Sequence, residues 1–200
     1  MHRLGELVDA IISEPWAFDW AQHLLGLQEQ RRRLVPLLVH TDGQIVLDIG
    51  AGTGNYAPLL PDSAKHVGLD IDPKKLQSFI TKGSARVGLV GDATSICLRD
   101  KSVDCALCIA LSHHLSDSQM PLVFQELARV VKDRLIFMDA VMDTDSTLSQ
   151  FLWKCDRGKY PRSVEALHAA LEPWFELEQV REFAVYHRYM MCLGKPRIRT

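Results

Sequence analysis

The sequence predicts an α/β domain built on a mostly parallel sheet flanked by helices. Three observations carry this expectation. Short apolar runs suited to buried strands alternate with helical periodicity from about residue 45 to residue 141. The run ending at Ile49 leads at once into the alternating glycines Gly50, Gly52 and Gly54, and two strand-like segments follow residue 175. Strands separated by helical crossovers imply βαβ units, because parallel neighbours cannot be joined by a tight turn.

The first 40 residues read as helical, with "LGELVDAII" and "LLGLQEQRRRLVPLL" separated by "SEPWAFDW". Arg31, Arg32 and Arg33 are most simply the solvated face of the second helix. Strands are expected near 45–49, 66–70, 86–90, 103–109 and 134–141. Helices are expected near 55–60, 73–82 and 118–131. Asp72 suits the N-cap of the second, with Pro73 at its first helical position. The third, "SQMPLVFQELARVVK", sets apolar side chains at helical spacing behind a serine suited to the N-cap.

After residue 141 the pattern changes. "MDTDSTLSQFLWKCDRGKYPRS" is a polar and aromatic connection, long for a compact domain and of the type that often carries function. "SVEALHAALEPW" reads as a helix, and "FELEQVREFAVYHRYMMCLGKP" as two strands with Arg181 and Glu182 at or near the bend.

With 200 residues and 47% hydrophobic content the chain suits one domain with a full core. Its parts are a helical N-terminal cap (1–40), a cofactor-binding core (41–141), and a connection, helix and hairpin on the substrate side (142–200). A formal net charge of −2 argues against a nucleic-acid partner held through phosphates. Five cysteines form no disulfide framework, which suits a reducing cytoplasm. Cys105 and Cys108 make a CxxC, but a strand there points them to opposite faces, so no metal site is expected. No apolar stretch reaches the length of a membrane span, and the N-terminus lacks a small-residue cleavage site, so we expect a soluble, unprocessed chain.

The glycine turn is where function becomes legible. A strand ending at Ile49, then Gly50, Gly52 and Gly54, puts backbone N–H groups at the carboxyl edge of a parallel sheet, where such sheets bind ligands. Glycines also let a ligand approach without meeting a Cβ. Asn55 stands where the dinucleotide fingerprint has its last glycine. Asp48 would repel a pyrophosphate but could pair with a cationic group. Asp70 ends the strand in "GLDID", roughly 20 residues on, where an acid can take both hydroxyls of a ribose. Asp92 in "GDAT" is placed to accept from an exocyclic amine.

These residues resemble the class I S-adenosyl-L-methionine-dependent methyltransferases. "VLDIGAGTGNY" is similar to their first motif, "HVGLDIDPKKL" to the second, and "VGDAT" to the adenine-binding turn. "SVDCALCIALSHHLSD" resembles the segment that enters the substrate pocket, and "ELARVVKDRLIFMD" the following helix and strand. The resemblance covers about residues 40–141 and implies a Rossmann-like seven-stranded sheet ending in an antiparallel hairpin. It also implies a cytoplasmic enzyme with S-adenosyl-L-methionine as cofactor and S-adenosyl-L-homocysteine as product. The family's usual proline-glycine pair after the last core helix is absent, and Lys132 and Asp133 stand there instead.

By that resemblance Gly50, Gly52 and Gly54 line the amino-acid portion of the cofactor, Asp70 its ribose and Asp92 its adenine. Asp48 acts near the methionine ammonium through water. Ala51, Ile71, Ala93 and Ala110, neighbours in the same motifs, complete the implied site.

An oxygen or nitrogen acceptor must also lose a proton, which suits histidine. His113 and His114 follow the fourth strand and are the candidate bases; the alternative is that one packs and the other only lines the pocket. Acceptor recognition falls to the variable parts. Trp16, Phe18 and Trp20 are a candidate lid, while Trp153, Lys154, Asp156, Arg157, Tyr160 and Arg162 form a mixed patch that His187, Arg188 and Tyr189 could reach. Arginine there would suit an acidic substrate. A small-molecule acceptor is expected, with no nucleic-acid or membrane partner. Two rival readings stay open: a catalytically inactive module that binds the cofactor or a partner protein, and an NAD-dependent oxidoreductase. The second leaves Asp48 and Asn55 unexplained.

Overall fold

The computed structural model describes residues 26–83, 86–143, 146–147, 149–150, 153 and 158–197. Trp16, Phe18, Trp20, Lys154, Asp156, Arg157 and the first expected helix lie outside the described residues.

Helix α1 spans Leu27–Leu38 and leads to strand β1 (Ile45–Ile49). Then come β2 (Lys65–Asp70), α2 (Pro73–Thr81), β3 (Arg86–Val90), β4 (Val103–Ile109), α3 (Gln119–Val130) and β5 (Val131–Val141). Helix α4 (Val164–Leu171), β6 (Phe175–Ala184) and β7 (Arg188–Pro196) follow. All seven strands form one sheet in the order β3-β2-β1-β4-β5-β7-β6. The β1, β2, β3, β4 and β5 pairings are parallel, and β7 runs antiparallel to both β5 and β6. This is the Rossmann-like sheet with its C-terminal hairpin.

The chain winds outward from β1 in one direction and from β4 in the other. A crevice therefore opens at the carboxyl ends of these two strands, where crossovers leave for opposite sides. The strands there are buried on both faces. Leu47, Ile49, Cys108 and Phe137 pack with Phe124 and Leu127 of α3 on one side. Val46, Cys105, Leu107 and Met138 pack with Leu34 and Leu38 of α1 on the other. Cys105 and Cys108 thus face opposite layers, and burial pushes the Cys105 thiol up to about 12 and the Cys108 thiol well above its ordinary range. Such buried thiols are inert.

Asp72 caps α2 as expected, accepting from the amides of Lys74 and Lys75, with Pro73 in the first turn. Elsewhere the local signals were overridden. The helix expected at 55–60 is a single 3₁₀ turn, Ala57–Leu59, with Pro58 inside it. At the start of α3 the Ser118 side chain makes no cap; Ser116 Oγ accepts from the Gln119 amide at 3.3 Å. No turn replaces the missing proline-glycine pair: α3 runs directly into β5, and Lys132 extends from the strand to Asp104 at 2.6 Å. Arg181 and Glu182 are not at the bend of the hairpin. The chain turns at 185–187, where the Val185 amide donates to His187 O, and a register shift between Glu178 and Arg181 with Gln179 at φ 52° absorbs an irregularity within β6. A bulge keeps the strand paired past polar residues that, in isolation, resemble a turn.

Candidate functional site

The glycine turn after β1 is a left-handed device. Gly50, Gly52 and Gly54 have φ of 67°, 53° and 82°, values that strain any residue with a Cβ. The amides of Gly50 and Ala51 donate to Leu69 O at 2.8 and 3.2 Å, which locks the turn to the end of β2. The glycines also serve the protein's own packing. A Cβ at Gly50 would stand 2.9 Å from the Leu111 side chain, and one at Gly54 2.7 Å from Phe79.

Asp70 ends β2, beside this turn. Its Oδ2 accepts from the Gly52 amide at 2.8 Å and its Oδ1 from the Asp72 amide at 2.9 Å. Each oxygen keeps a further lone pair, so the carboxylate is oriented without being used up. Beside it Ile71 is 74% exposed at the carboxyl end of β2, an apolar surface open to a flat aromatic ring. Asp92 follows β3, accepts from the Thr94 amide at 2.8 Å and is itself exposed, while Ala93 is buried beneath it. Ala110, just past β4, adopts φ 53°, an unusual conformation for alanine that belongs to the same edge.

Asp48 is set deeper. It is buried, and among the described residues its ion-pair partner is His66, whose Nε2 lies 3.4 Å from Oδ2, too long for a good hydrogen bond. That ring nitrogen is buried and has no hydrogen-bond partner among the described residues. A buried carboxylate so weakly matched suits a nearby cation or a bridging water.

On the other side of the crevice β4 and β5 bring together a second group. Asp139, in β5, is 1% exposed. Its Oδ2 accepts from the Ser112 amide at 2.7 Å and hydroxyl at 2.6 Å, and its Oδ1 from the Ala140 amide at 2.8 Å. His113 Nδ1 lies 2.6 Å from the same Oδ1. Burial alone would raise the Asp139 carboxyl; the His113 ring, the Ser112 hydroxyl and the Ala140 amide outweigh it and hold the group below the usual carboxylate range. The exposed His114 ring stacks obliquely on His113 with centroids 4.2 Å apart. Trp153 meets His113 edge-on at 5.6 Å and lies 4.9 Å from His187. Of the expected rim patch, Trp153 stands against His113, His187 against Trp153 and Tyr189 against His187.

The arginines have other work. Arg162 donates to Ser112 O and Leu115 O at 2.8 Å, and to Asp117 at 2.7 Å, so it clamps the turn that carries His113. Arg188 pairs with Glu182 in the neighbouring strand. Arg31, read from the sequence as part of a wet face, donates through Nε to Asn55 O at 2.9 Å and joins α1 to the glycine turn. Arg32 and Arg33 do lie on the surface, on Glu29. Gln30 tightens the same junction: it accepts from Tyr56 OH at 2.6 Å and donates to Tyr189 OH at 2.9 Å. Asp139, Ser112 and Gln30 were not singled out in the sequence, and Arg31 was read there only as part of a solvated face. "LIFMDA" carries the signal that marked Asp48 and Asp70, an acid closing an apolar strand, but nothing local to it names His113 as the partner.

The donor set fits an adenosyl cofactor with an amino-acid tail. Asp70 would hold the ribose, Ile71, Asp92 and Ala93 the adenine, and the turn at 50–54 with Asp48 the amino-acid end. A family profile described as a methyltransferase domain matches residues 47–138, and the fold is that of magnesium protoporphyrin IX methyltransferase from Synechocystis solved with S-adenosylhomocysteine bound. Over that segment the chain is similar to the S-adenosylmethionine-dependent methyltransferases. That structure matches with a TM-score of 0.72 and 19% identity, covering 86% of this chain and 84% of the other. In sequence, this chain is 32% identical over 154 residues to the tRNA (carboxymethyluridine(34)-5-O)-methyltransferase of Arabidopsis thaliana. It is 33% identical over 115 residues to the demethylmenaquinone methyltransferase of Thermotoga maritima. These matches cover 72% and 54% of this chain, but the chain spans only 37% and 49% of the lengths of the two relatives.

Proposed function

We propose that this chain transfers a methyl group from S-adenosyl-L-methionine to a small-molecule acceptor. The observation that carries the reading is the set of carboxylates Asp48, Asp70 and Asp92, in or just after the successive parallel strands β1, β2 and β3, around one left-handed glycine turn. The sulfonium of the cofactor supplies an already activated methyl group. The chain's own residues then have to bind, orient and exclude water, and orientation of this kind is worth up to about 7–11 kcal/mol in well-aligned cases. Asp70 takes the ribose diol while the Gly52 and Asp72 amides hold it still. Asp92 and the Ala93 backbone receive the adenine edge, with Ile71 against its face. The glycine turn, Ala51 and Ala110 border the amino-acid end, and Asp48 balances its ammonium through water. His113 and His114 are the candidate proton acceptors beside the acceptor pocket.

The Arabidopsis relative is named for a tRNA acceptor. The net charge of −2 supplies no general field for a phosphate backbone, which favours the small molecule. Calorimetric titration with S-adenosyl-L-methionine, S-adenosyl-L-homocysteine and NAD, with Asp70→Ala beside the wild type, tests the cofactor. Binding of the sulfur ligands that weakens in the variant supports the reading; binding of NAD alone supports an oxidoreductase. Radiolabel transfer from the cofactor into a metabolite extract rather than into tRNA then tests the acceptor class, and no transfer to either would leave a binding module.

A further inference from the structure

The hydrogen bonds around Asp139 favour one arrangement of protons for its pair with His113. The Ala140 amide can only donate, so Asp139 Oδ1 accepts from it, and the Ser112 amide likewise makes Oδ2 an acceptor. Four donor groups converge on the carboxyl, the Ser112 amide and hydroxyl and the His113 amide on Oδ2 and the Ala140 amide on Oδ1, and they favour the ionised carboxylate over the acid, in agreement with a group held below its usual range. His113 Nδ1 stands 2.6 Å from Oδ1. Two lone pairs at that distance would repel, so Nδ1 carries the hydrogen, and in the neutral ring the lone pair is on Nε2. Free imidazole in water has no such constraint.

We propose that Asp139 is a positioning residue for methyl transfer: it holds His113 with its hydrogen on Nδ1, so that Nε2 takes the proton of an acceptor hydroxyl or N–H group. This rests on the methyltransferase reading above. The acceptor atom forms its bond to the methyl carbon as the carbon–sulfur bond breaks, and that electron pair leaves with sulfur. The acceptor's proton passes to Nε2, and the resulting imidazolium is balanced by the Asp139 carboxylate 2.6 Å away before the proton is released to water. A carboxylate acceptor would arrive without a proton and have no use for this device. His114, exposed and stacked on His113, is not the residue that Asp139 holds. The Ser112 hydroxyl and the Arg162 clamp on Ser112 O keep the same turn in register.

The test is nitrogen-15 NMR of the histidine rings in the full chain, above the titration range of imidazole, with S-adenosyl-L-homocysteine present and His113→Gln used for assignment. We expect a pyrrole-type Nδ1 and a pyridine-type Nε2 for His113 in the wild type, with the pattern shifted toward Nε2–H in Asp139→Asn. Label transfer into the metabolite extract should fall by roughly 10²–10⁴-fold in Asp139→Asn, the usual range for a lost general base, while Asp139→Glu restores part of it. A wild-type His113 with its hydrogen on Nε2 overturns the arrangement, whether or not the variant folds. Transfer unchanged in a folded Asp139→Asn overturns the role. Failure of the wild type to bind S-adenosyl-L-homocysteine overturns the methyl-transfer reading instead, and with it the role, even if the ring pattern is as expected.

Discussion

The Gly52 amide donates to Asp70 Oδ2 over 2.8 Å, so the turn that closes β1 and the acid that ends β2 are one unit. Removing the carboxylate therefore has two consequences. Asp70→Ala should weaken S-adenosyl-L-homocysteine binding by about 1.5–3 kcal/mol, the value of hydrogen bonds to a charged group. It should also lower stability by about 1–3 kcal/mol, because the Gly52 and Asp72 amides lose their acceptor. Calorimetry and urea denaturation separate the two effects.

Gly54 and Gly43 share a left-handed backbone but not an environment. A Cβ at Gly54 would meet Phe79 at 2.7 Å, whereas one at Gly43 meets nothing within 4 Å. Gly43→Ala should cost about 1–2 kcal/mol of conformational strain alone. Gly54→Ala should cost that and a further ~1–3 kcal/mol of overpacking, with a matching shift in the urea midpoint.

Arg162 holds three backbone carbonyls and Asp117 through one planar fork. Arg162→Lys keeps the charge but cannot reproduce that geometry, and should destabilise by about 1–3 kcal/mol. Asp117→Ala should change stability by less than about 1 kcal/mol, since the Asp117 side chain is 90% exposed. Equal losses in the two variants, read by urea denaturation, would place the value of Arg162 in the ion pair instead of the carbonyls.

The Asp139 carboxyl sits below its ordinary range in the folded chain, so it releases its proton more readily there than in the unfolded chain. The sign follows: its contribution to stability is complete above the unfolded carboxyl value near 4 and is lost as pH falls through the lower folded value. Unfolding free energy measured from pH 7 down to pH 3 should decline more steeply in the wild type than in Asp139→Asn.

Thiol labelling checks the two-sided core. Cys97 is exposed, while Cys105, Cys108 and Cys192 are buried with thiols pushed up. In native protein at pH 8, peptide mapping should find Cys97 modified and these three protected until denaturant is added.

The core strands and α2 were legible because their signals are local. Apolar runs of strand length, a capping aspartate before a proline, and glycines after a strand all act within a few residues. The hairpin bend was misplaced by several residues because Arg181 and Glu182 look like turn residues, while the pairing of Glu182 with Met190 across β7 keeps them in the strand. Arg31 was misread for a similar reason: a run of arginines looks uniformly wet, and only the fold brings Asn55 O to one of them.

By itself the sequence determined the element order, the glycine turn and the acids that close β1 and β2, since each depends on backbone geometry and periodicity close at hand. Tertiary structure alone decided that Asp139 reaches His113, that Asp48 lies beside His66, and that Gln30 joins Tyr56 to Tyr189. Those contacts join residues distant in sequence, so they depend on strand order and register, and no local pattern records which buried donor will stand opposite which acceptor.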